Sequence, residues 1–188
     1  MNILVFAGSV RRESLNRRLA RVAAQAVDGA GGKATLLELA DFPLPLYDGD
    51  LEAESGPPDN AFRLQEVMGA HDGFIVVSPE YNHSISALLK NTLDWVSRTP
   101  RVRGANPFAG KVAGLMATSP GALGGLQGLD TVQQVLSTVG ALVLPRRVAV
   151  PHGDKAFDGT GRLLDESSTR RVAELASEVV AIAGKLAG

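Results

Sequence analysis

Two hydroxyls, a carboxamide and two guanidinium groups crowd the segment Gly8-Ser9-Val10-Arg11-Arg12-Glu13-Ser14-Leu15-Asn16. Such short-range donors suit phosphate oxygens, and charge-assisted hydrogen bonds to phosphate are among the strong ones. The run follows Ile3 to Ala7, an apolar stretch that reads as a parallel strand buried on both faces. After it, Leu15, Leu19, Val22, Ala23 and Ala26 recur at helical spacing. A strand-to-helix turn of this kind is where an open α/β sheet binds anions, because the first helical amides have no partner within the helix. Gly-x-Gly-x-x-Gly is absent, which argues against a Rossmann dinucleotide and for a monophosphate. The competing interpretation is that Ser9 or Ser14 merely caps the helix while Arg11 and Arg12 are solvated. Position after the first buried strand favours phosphate.

A second constellation is Ser78-Pro79-Glu80-Tyr81-Asn82-His83-Ser84, after the strand Phe74 to Val77 that Gly73 opens. Pro79 lacks an N–H and ends the strand, while Asn82 and Ser84 are suited to capping the next helix. A heteroaromatic ring placed here would lie against Tyr81 and meet the amides of residues 80 to 83. An isoalloxazine asks for such donors and such a wall. His83 and Glu80 have humbler uses too: a lone histidine in a polar turn more often binds or braces than reacts. A third loop, Thr118 to Gly128, carries glycines at 121, 124 and 125 that let backbone approach a flat ligand closely. A glycine-rich turn alone says little. Three ligand-ready loops, each after a strand, say much more.

The elements that must position these loops alternate along the chain. Strands are expected at Ile3 to Ala7, Ala34 to Leu39, Phe74 to Val77, Lys111 to Ala117 and Leu142 to Val150, the last interrupted by Pro145. Helices are expected from Leu15 to about Asp28, around Phe62 to Met68, from about Ser84 to Ser97, over Thr131 to Val139, and from Asp165 onward. Residues 40 to 59, rich in proline and glycine, are expected to lack regular structure. Alternation of this kind predicts an α/β fold: a five-stranded parallel sheet with helices on both faces, in a single domain over residues 1–188. The helix after the second loop has apolar positions all round, which suits a helix packed on its own sheet and, through Trp95, on another subunit.

Composition sets limits. The 188 residues suffice for one sheet-and-helix core, and 45% hydrophobic with 21% charged residues is ordinary for a globular chain. A net charge of −1 supplies no field for nucleic acid or an anionic membrane. With no cysteine, disulfides, thiol redox chemistry and cysteine-held metals are excluded, so redox work would need a bound cofactor and no metal site is expected. No apolar run has the length of a signal-peptide core or a membrane span, which gives a cytoplasmic expectation.

Taken together, the segment Gly8 to Asn16, the turn Ser78 to Ser84 with Leu89-Lys90-Asn91-Thr92-Leu93-Asp94-Trp95, and the turn Ser119 to Gly125 resemble the NADPH-dependent FMN reductase family, which includes quinone, chromate and azo-dye reductases. The resemblance spans nearly the whole chain and implies a flavodoxin-like sheet of strand order 2-1-3-4-5. It implies that Ser9, Arg11, Ser14 and Asn16 hold the FMN phosphate, that Pro79, Glu80, Tyr81 and Asn82 contact the isoalloxazine and ribityl parts with His83 at the edge, and that Ser119 and Gly121 line the other side. It implies no catalytic side chain: NADPH (or NADH) reduces the flavin by hydride transfer and departs, and a small electron acceptor follows in a ping-pong cycle. A homodimer or homotetramer is implied. Many relatives have an arginine where Gln127 stands, which leaves that residue's role in assembly or substrate binding open here. Two other functions remain in view, a flavin reductase releasing reduced FMN to a monooxygenase, and a non-enzymatic electron carrier or redox-sensing partner. Flavodoxin-type carriers are usually strongly acidic, which this chain is not. Finally, Arg98, Arg101 and Arg103, just beyond the second loop's helix, are candidates for meeting the 2′-phosphate of NADPH, or for mere solvation.

Overall fold

Five parallel strands carry the molecule, and the computed structural model describes residues 1–188. They are β1 (Asn2–Ala7), β2 (Lys33–Leu37), β3 (Gly73–Val77), β6 (Val112–Thr118) and β7 (Leu142–Val150), in the order β2-β1-β3-β6-β7. All four pairings are parallel, from Asn2 opposite Lys33 to Thr118 opposite Val150. The sheet therefore has the expected 2-1-3-4-5 order, the flavodoxin-like arrangement.

Burial follows the period of two. Ile3, Val5 and Ala7 of β1 join a cluster with α1 (Leu15–Gly29) and α6 (Glu166–Ala187), including Leu19, Val172 and Val179. Leu4 and Phe6 point the other way, into a second cluster formed with α3 (Asp59–Gly69), α4 (Ala87–Val96) and α5 (Gly128–Thr138). A strand covered on both faces reads as an unbroken apolar run, as Ile3 to Ala7 does.

Several boundaries differ from the sequence expectation, each for a local reason. Residues 40 to 59 are not all irregular: a short 3₁₀ turn (Leu39–Asp41) and the helix α2 (Gly49–Ser55) lie among them. The prolines flank α2 rather than interrupt it. Asp48 caps it by accepting from the amides of Asp50 and Leu51, and Gly56 ends it at φ +74°. None of its residues is buried, so it leaves no apolar period to read. The helix expected from Ser84 begins at Ala87, because Ser84–Ile85 (β5) pairs back antiparallel on Glu80–Tyr81 (β4). Its cap is Ser86, accepting from the Leu89 amide, and not Asn82 or Ser84. Pro145 does not break the last strand but sits in a bulge: Val143 faces Ala113 and Arg147 faces Leu115, so three β7 residues oppose Gly114. That is where an edge strand tolerates proline.

Trp95 also differs. It is fully buried within its own chain, its Nε1–H donates to the Pro45 carbonyl at 2.8 Å, and the Tyr47 ring packs edge-on at 5.0 Å. The case it made for a subunit interface falls away: the segment after β2 covers it.

Asp165 caps α6, accepting from the amides of Ser167 and Ser168. Hydrogen bonds from Ser168 hold its carboxyl below the usual value. A depressed folded-state pKa gives stability that is present above the unfolded pKa, about 3.9, and is lost as pH falls through the folded value. Asp165→Asn keeps a capping side chain but removes this titration. Its melting temperature is therefore expected to fall less steeply than wild type's below about pH 4. Parallel acid limbs for the two proteins would contradict this.

Candidate functional site

The three loops meet because β1, β3 and β6 are neighbours in the sheet and all end on the same edge. The chain runs from β1 outward to β2 and returns through β3 on the other side, so the gap beyond β1 and β3 is the topological switch point where such sheets bind ligands.

Gly8 opens the first loop and fastens it. Its N–H donates to the Val77 carbonyl at 2.9 Å, and its own carbonyl accepts from Ser86 Oγ at 2.7 Å. A Cβ here would lie 2.8 Å from the Leu89 Cβ. The first loop thus rests directly on α4. Gly8→Ala is expected to cost about 1–3 kcal/mol through overpacking and to weaken phosphate binding by displacing the loop. A denaturant midpoint and an FMN titration equal to wild type's would show that the contact yields instead.

Ser14 is the α1 cap, its hydroxyl oxygen accepting from the Arg17 amide. The Arg18 amide takes the Ser14 carbonyl. The amides of Leu15 and Asn16 are the unpaired ones that a helix N-terminus offers to an anion. Capping and phosphate binding are compatible, because the Ser14 hydroxyl proton stays free to donate. Ser9 Oγ likewise accepts from the Arg11 amide and keeps its proton. The Arg11 guanidinium donates one hydrogen bond to the Glu13 carbonyl at 2.7 Å, which curls it over its own loop.

Asn16 does something the sequence does not reveal. Its Oδ1 accepts from the Thr118 amide and its Nδ2 donates to the Thr118 carbonyl, both at 3.0 Å. Both ends of the carboxamide are engaged and the residue is buried. Asn16 staples the first loop to the end of β6.

The second loop is a two-residue hairpin. Asn82 and His83 take φ of +52° and +60° between paired Tyr81 and Ser84, the left-handed pair that a tight hairpin turn needs. Asparagine tolerates this readily and histidine less so. The Glu80 carboxylate accepts from the Gly128 amide at the start of α5 at 2.7 Å, a favourable end for a negative charge, and His83 Nδ1 lies 3.6 Å from its other oxygen. Glu80 thereby locks the hairpin to the third loop, while the Tyr81 ring is 57% exposed and open to a flat partner.

The third loop is braced by a fourth that sequence reasoning missed. After β7, the Gly153 amide donates to the Ser119 carbonyl at 2.8 Å and the His152 amide to the Gly121 carbonyl at 3.3 Å. A Cβ on Gly153 would lie 2.3 Å from Thr118 Oγ1. The only hint was Pro151-His152-Gly153 directly after the last strand.

A cleft of about 180 Å³ opens between the loops. Ser9, Arg11, Ser14 and Asn16 line it, with Pro79, Glu80 and Tyr81 opposite and Ser119 at one end. Asn82, His83 and Gly121 lie outside it. A larger cleft of about 440 Å³ lies elsewhere, against α3 and residues 103–107, and includes Lys111. Lys111 precedes β6, at the far end of that strand from Thr118, and its ammonium donates to the carbonyls of Met68 and Gly69 that end α3. Burial lowers its pKa. Arg103 stacks on Phe62 beside Glu66, and Arg98 sits over Tyr47 beside Glu52, so two of the three arginines considered for the 2′-phosphate are occupied by their own chain.

Fold and cleft define a flavodoxin-like protein with a donor-lined turn at its switch point. Comparison with known proteins agrees. The NADPH-dependent FMN reductase family model matches residues 1–155, and the chain belongs to that family. It is 31% identical over 170 residues to a quinone reductase of Escherichia coli K12, covering 89% of this chain and 87% of that one. An NAD(P)H-dependent FMN reductase of Pseudomonas aeruginosa is 34% identical over 170 residues, with the same coverage. Among solved structures, the flavoenzyme NAD(P)H:(acceptor) oxidoreductase FerB of Paracoccus denitrificans superposes with a TM-score of 0.82 at 28% identity, over 98% of this chain and 97% of that one. The protein is an oxidoreductase that works with FMN and NAD(P)H. No helix is long and apolar enough to cross a membrane.

Proposed function

We propose that this chain takes electrons from NAD(P)H and delivers them, in a separate half-reaction at the same open face, to a small acceptor such as a quinone, an azo compound or chromate. One observation carries this reading: the donor-lined turn of β1 and the exposed Tyr81 ring share one cleft. The donor set fits a phosphate ester, with two serine hydroxyls whose protons are free, a guanidinium and a helix N-terminus.

In this reading Ser9, Arg11 and Ser14 hold the FMN phosphate, and Asn16 holds the loop that presents them. The hairpin from Pro79 to Asn82 offers amides and the Tyr81 face to the ring system, with His83 at its edge. Ser119 and Gly121 form the opposite wall, braced by the loop after β7. When bound, FMN supplies the redox chemistry, and no side chain has to act as acid or base. The chain's own part is to orient, to exclude water from one face and to leave the other open to both substrates in turn. We place the protein in the cytoplasm, in keeping with the lack of a membrane-spanning helix.

Steady-state NADPH oxidation by FMN-loaded protein, with and without a quinone, tests the proposal. Turnover should rise strongly with the quinone. A rate indifferent to every acceptor would sink the reading. We further propose a homodimer or homotetramer, supported by Tyr81, Leu123 and Leu126, large apolar side chains exposed on two of the site loops. Light scattering should give a multiple of the 19.7 kDa chain mass, and a monomer at micromolar concentration would contradict it.

A further inference from the structure

Beside the cleft, along α1, lies a chamber of about 150 Å³ that the FMN site does not use. Arg18, Arg21 and Gln25 of α1 form one wall, and Thr160, Gly161 and Arg162 form the other. Positions 18, 21 and 25 share a helix face, so the three side chains point into the same space. The opposite wall belongs to the segment after β7, held in place where Phe157 bridges to Leu163 and where Arg18 lies 5.2 Å over the Phe157 ring.

The charge here is unbalanced. Arg17 next door pairs with Glu38, and Arg146 and Arg147 pair with carboxylates of α6 and α5. Arg18 and Arg21 have no such partner. Asp158, in the facing segment, is turned into its own loop, where one oxygen accepts from the Thr160 amide, the Thr160 hydroxyl and the Arg162 amide. Its other oxygen lies 4.0 Å from Arg162 Nε, which itself donates to Thr160 Oγ1 at 3.1 Å. Two unpaired guanidinium groups and the outer N–H groups of Arg162 therefore face one carboxylate that is already hydrogen-bonded, with the Gln25 carboxamide as a further donor.

We propose that this chamber is a second anion site, built for a phosphate dianion. Guanidinium groups match phosphate bidentately, and the space is too small for a whole nucleotide. Two sources carry that group: a free phosphate, and the 2′-phosphate that distinguishes NADPH from NADH. Position favours the second. Arg21 lies about 10 Å along the helix axis from the Ser14 cap, at roughly 1.5 Å per residue, within reach of a dinucleotide whose other end is at the cleft. This arm rests on the proposed use of NADPH, and the earlier candidates Arg98 and Arg103 are taken by Glu52 and Glu66.

Calorimetry on FMN-loaded protein with inorganic phosphate, 5′-AMP and 2′,5′-ADP tests the site, using Arg21→Ala and Arg162→Ala. Both residues are exposed, so the fold should survive; Arg18, packed on Phe157, is left intact. If the 2′-phosphate is the ligand, 2′,5′-ADP binds at least tenfold more tightly than 5′-AMP. Each substitution then weakens it about three- to tenfold and raises KM for NADPH in proportion, with kcat and KM for NADH unchanged. If inorganic phosphate binds, is weakened by both substitutions, and 2′,5′-ADP shows no preference over 5′-AMP, the site serves a free anion and the dianion assignment stands. If neither phosphate nor 2′,5′-ADP responds to the substitutions, the proposal is overturned. Failure of the proposed activity looks different: neither nicotinamide cofactor would reduce the FMN-loaded protein, while the phosphate titration would still read the site.

Discussion

Asn16→Ala is expected to lower folding stability by about 2–6 kcal/mol and to abolish most FMN binding. The substitution leaves two buried backbone groups of Thr118, its N–H and its C=O, without partners. Each such group costs about 1–3 kcal/mol when it is stranded away from water. The penalty falls at the point where the first and third loops are joined, so the cleft loses its shape as well as its stability. Asn16→Asp separates the two halves of the effect: it keeps an acceptor for the Thr118 amide but sets a second oxygen against the Thr118 carbonyl. It should recover only part of the loss. Urea unfolding monitored by Trp95 fluorescence, with FMN titration alongside, measures both. Asn16→Ala with a wild-type midpoint would mean that Thr118 finds other partners.

A second large effect is expected at Arg11. Arg11→Ala should weaken FMN at least tenfold and leave riboflavin affinity nearly unchanged, because only FMN has the phosphate that a guanidinium can hold. A hydrogen bond to a charged group is worth about 1.5–3 kcal/mol, and tenfold in affinity is about 1.4 kcal/mol. The fold should be unaffected, since the side chain is exposed and bonds only to the carbonyl of Glu13 within its own loop. That same bond holds the guanidinium near the loop before ligand arrives. Equal losses for FMN and riboflavin would show that Arg11 shapes the loop and does not touch the phosphate.

Much of this was legible in the sequence. Ile3 to Ala7 and Phe74 to Val77 announce buried strands because no polar residue interrupts them, and the strand order follows from the family resemblance. The loop after β1 and the hairpin carry side chains whose chemistry is plain without coordinates. What stayed hidden were roles set by distant partners. Nothing near Asn16 in sequence says that its carboxamide belongs to Thr118, and nothing near Glu80 says that its carboxylate caps α5. Trp95 looks like an interface residue in the sequence because nothing near it shows that the irregular segment around Pro45 and Tyr47 folds back to cover it. α2 was missed since a helix held by its caps alone shows no apolar repeat.

One cleft, built from the turns after β1, β3 and β6, is proposed to hold FMN and to serve NAD(P)H and the acceptor in succession. Anaerobic mixing of FMN-loaded protein with NADPH, without acceptor, tests it most directly. The visible flavin absorption should be lost in this half-reaction, and a quinone added after NADP⁺ has been removed should restore it. Absorption that stays unchanged until both substrates are present together would rule out their successive use of one face.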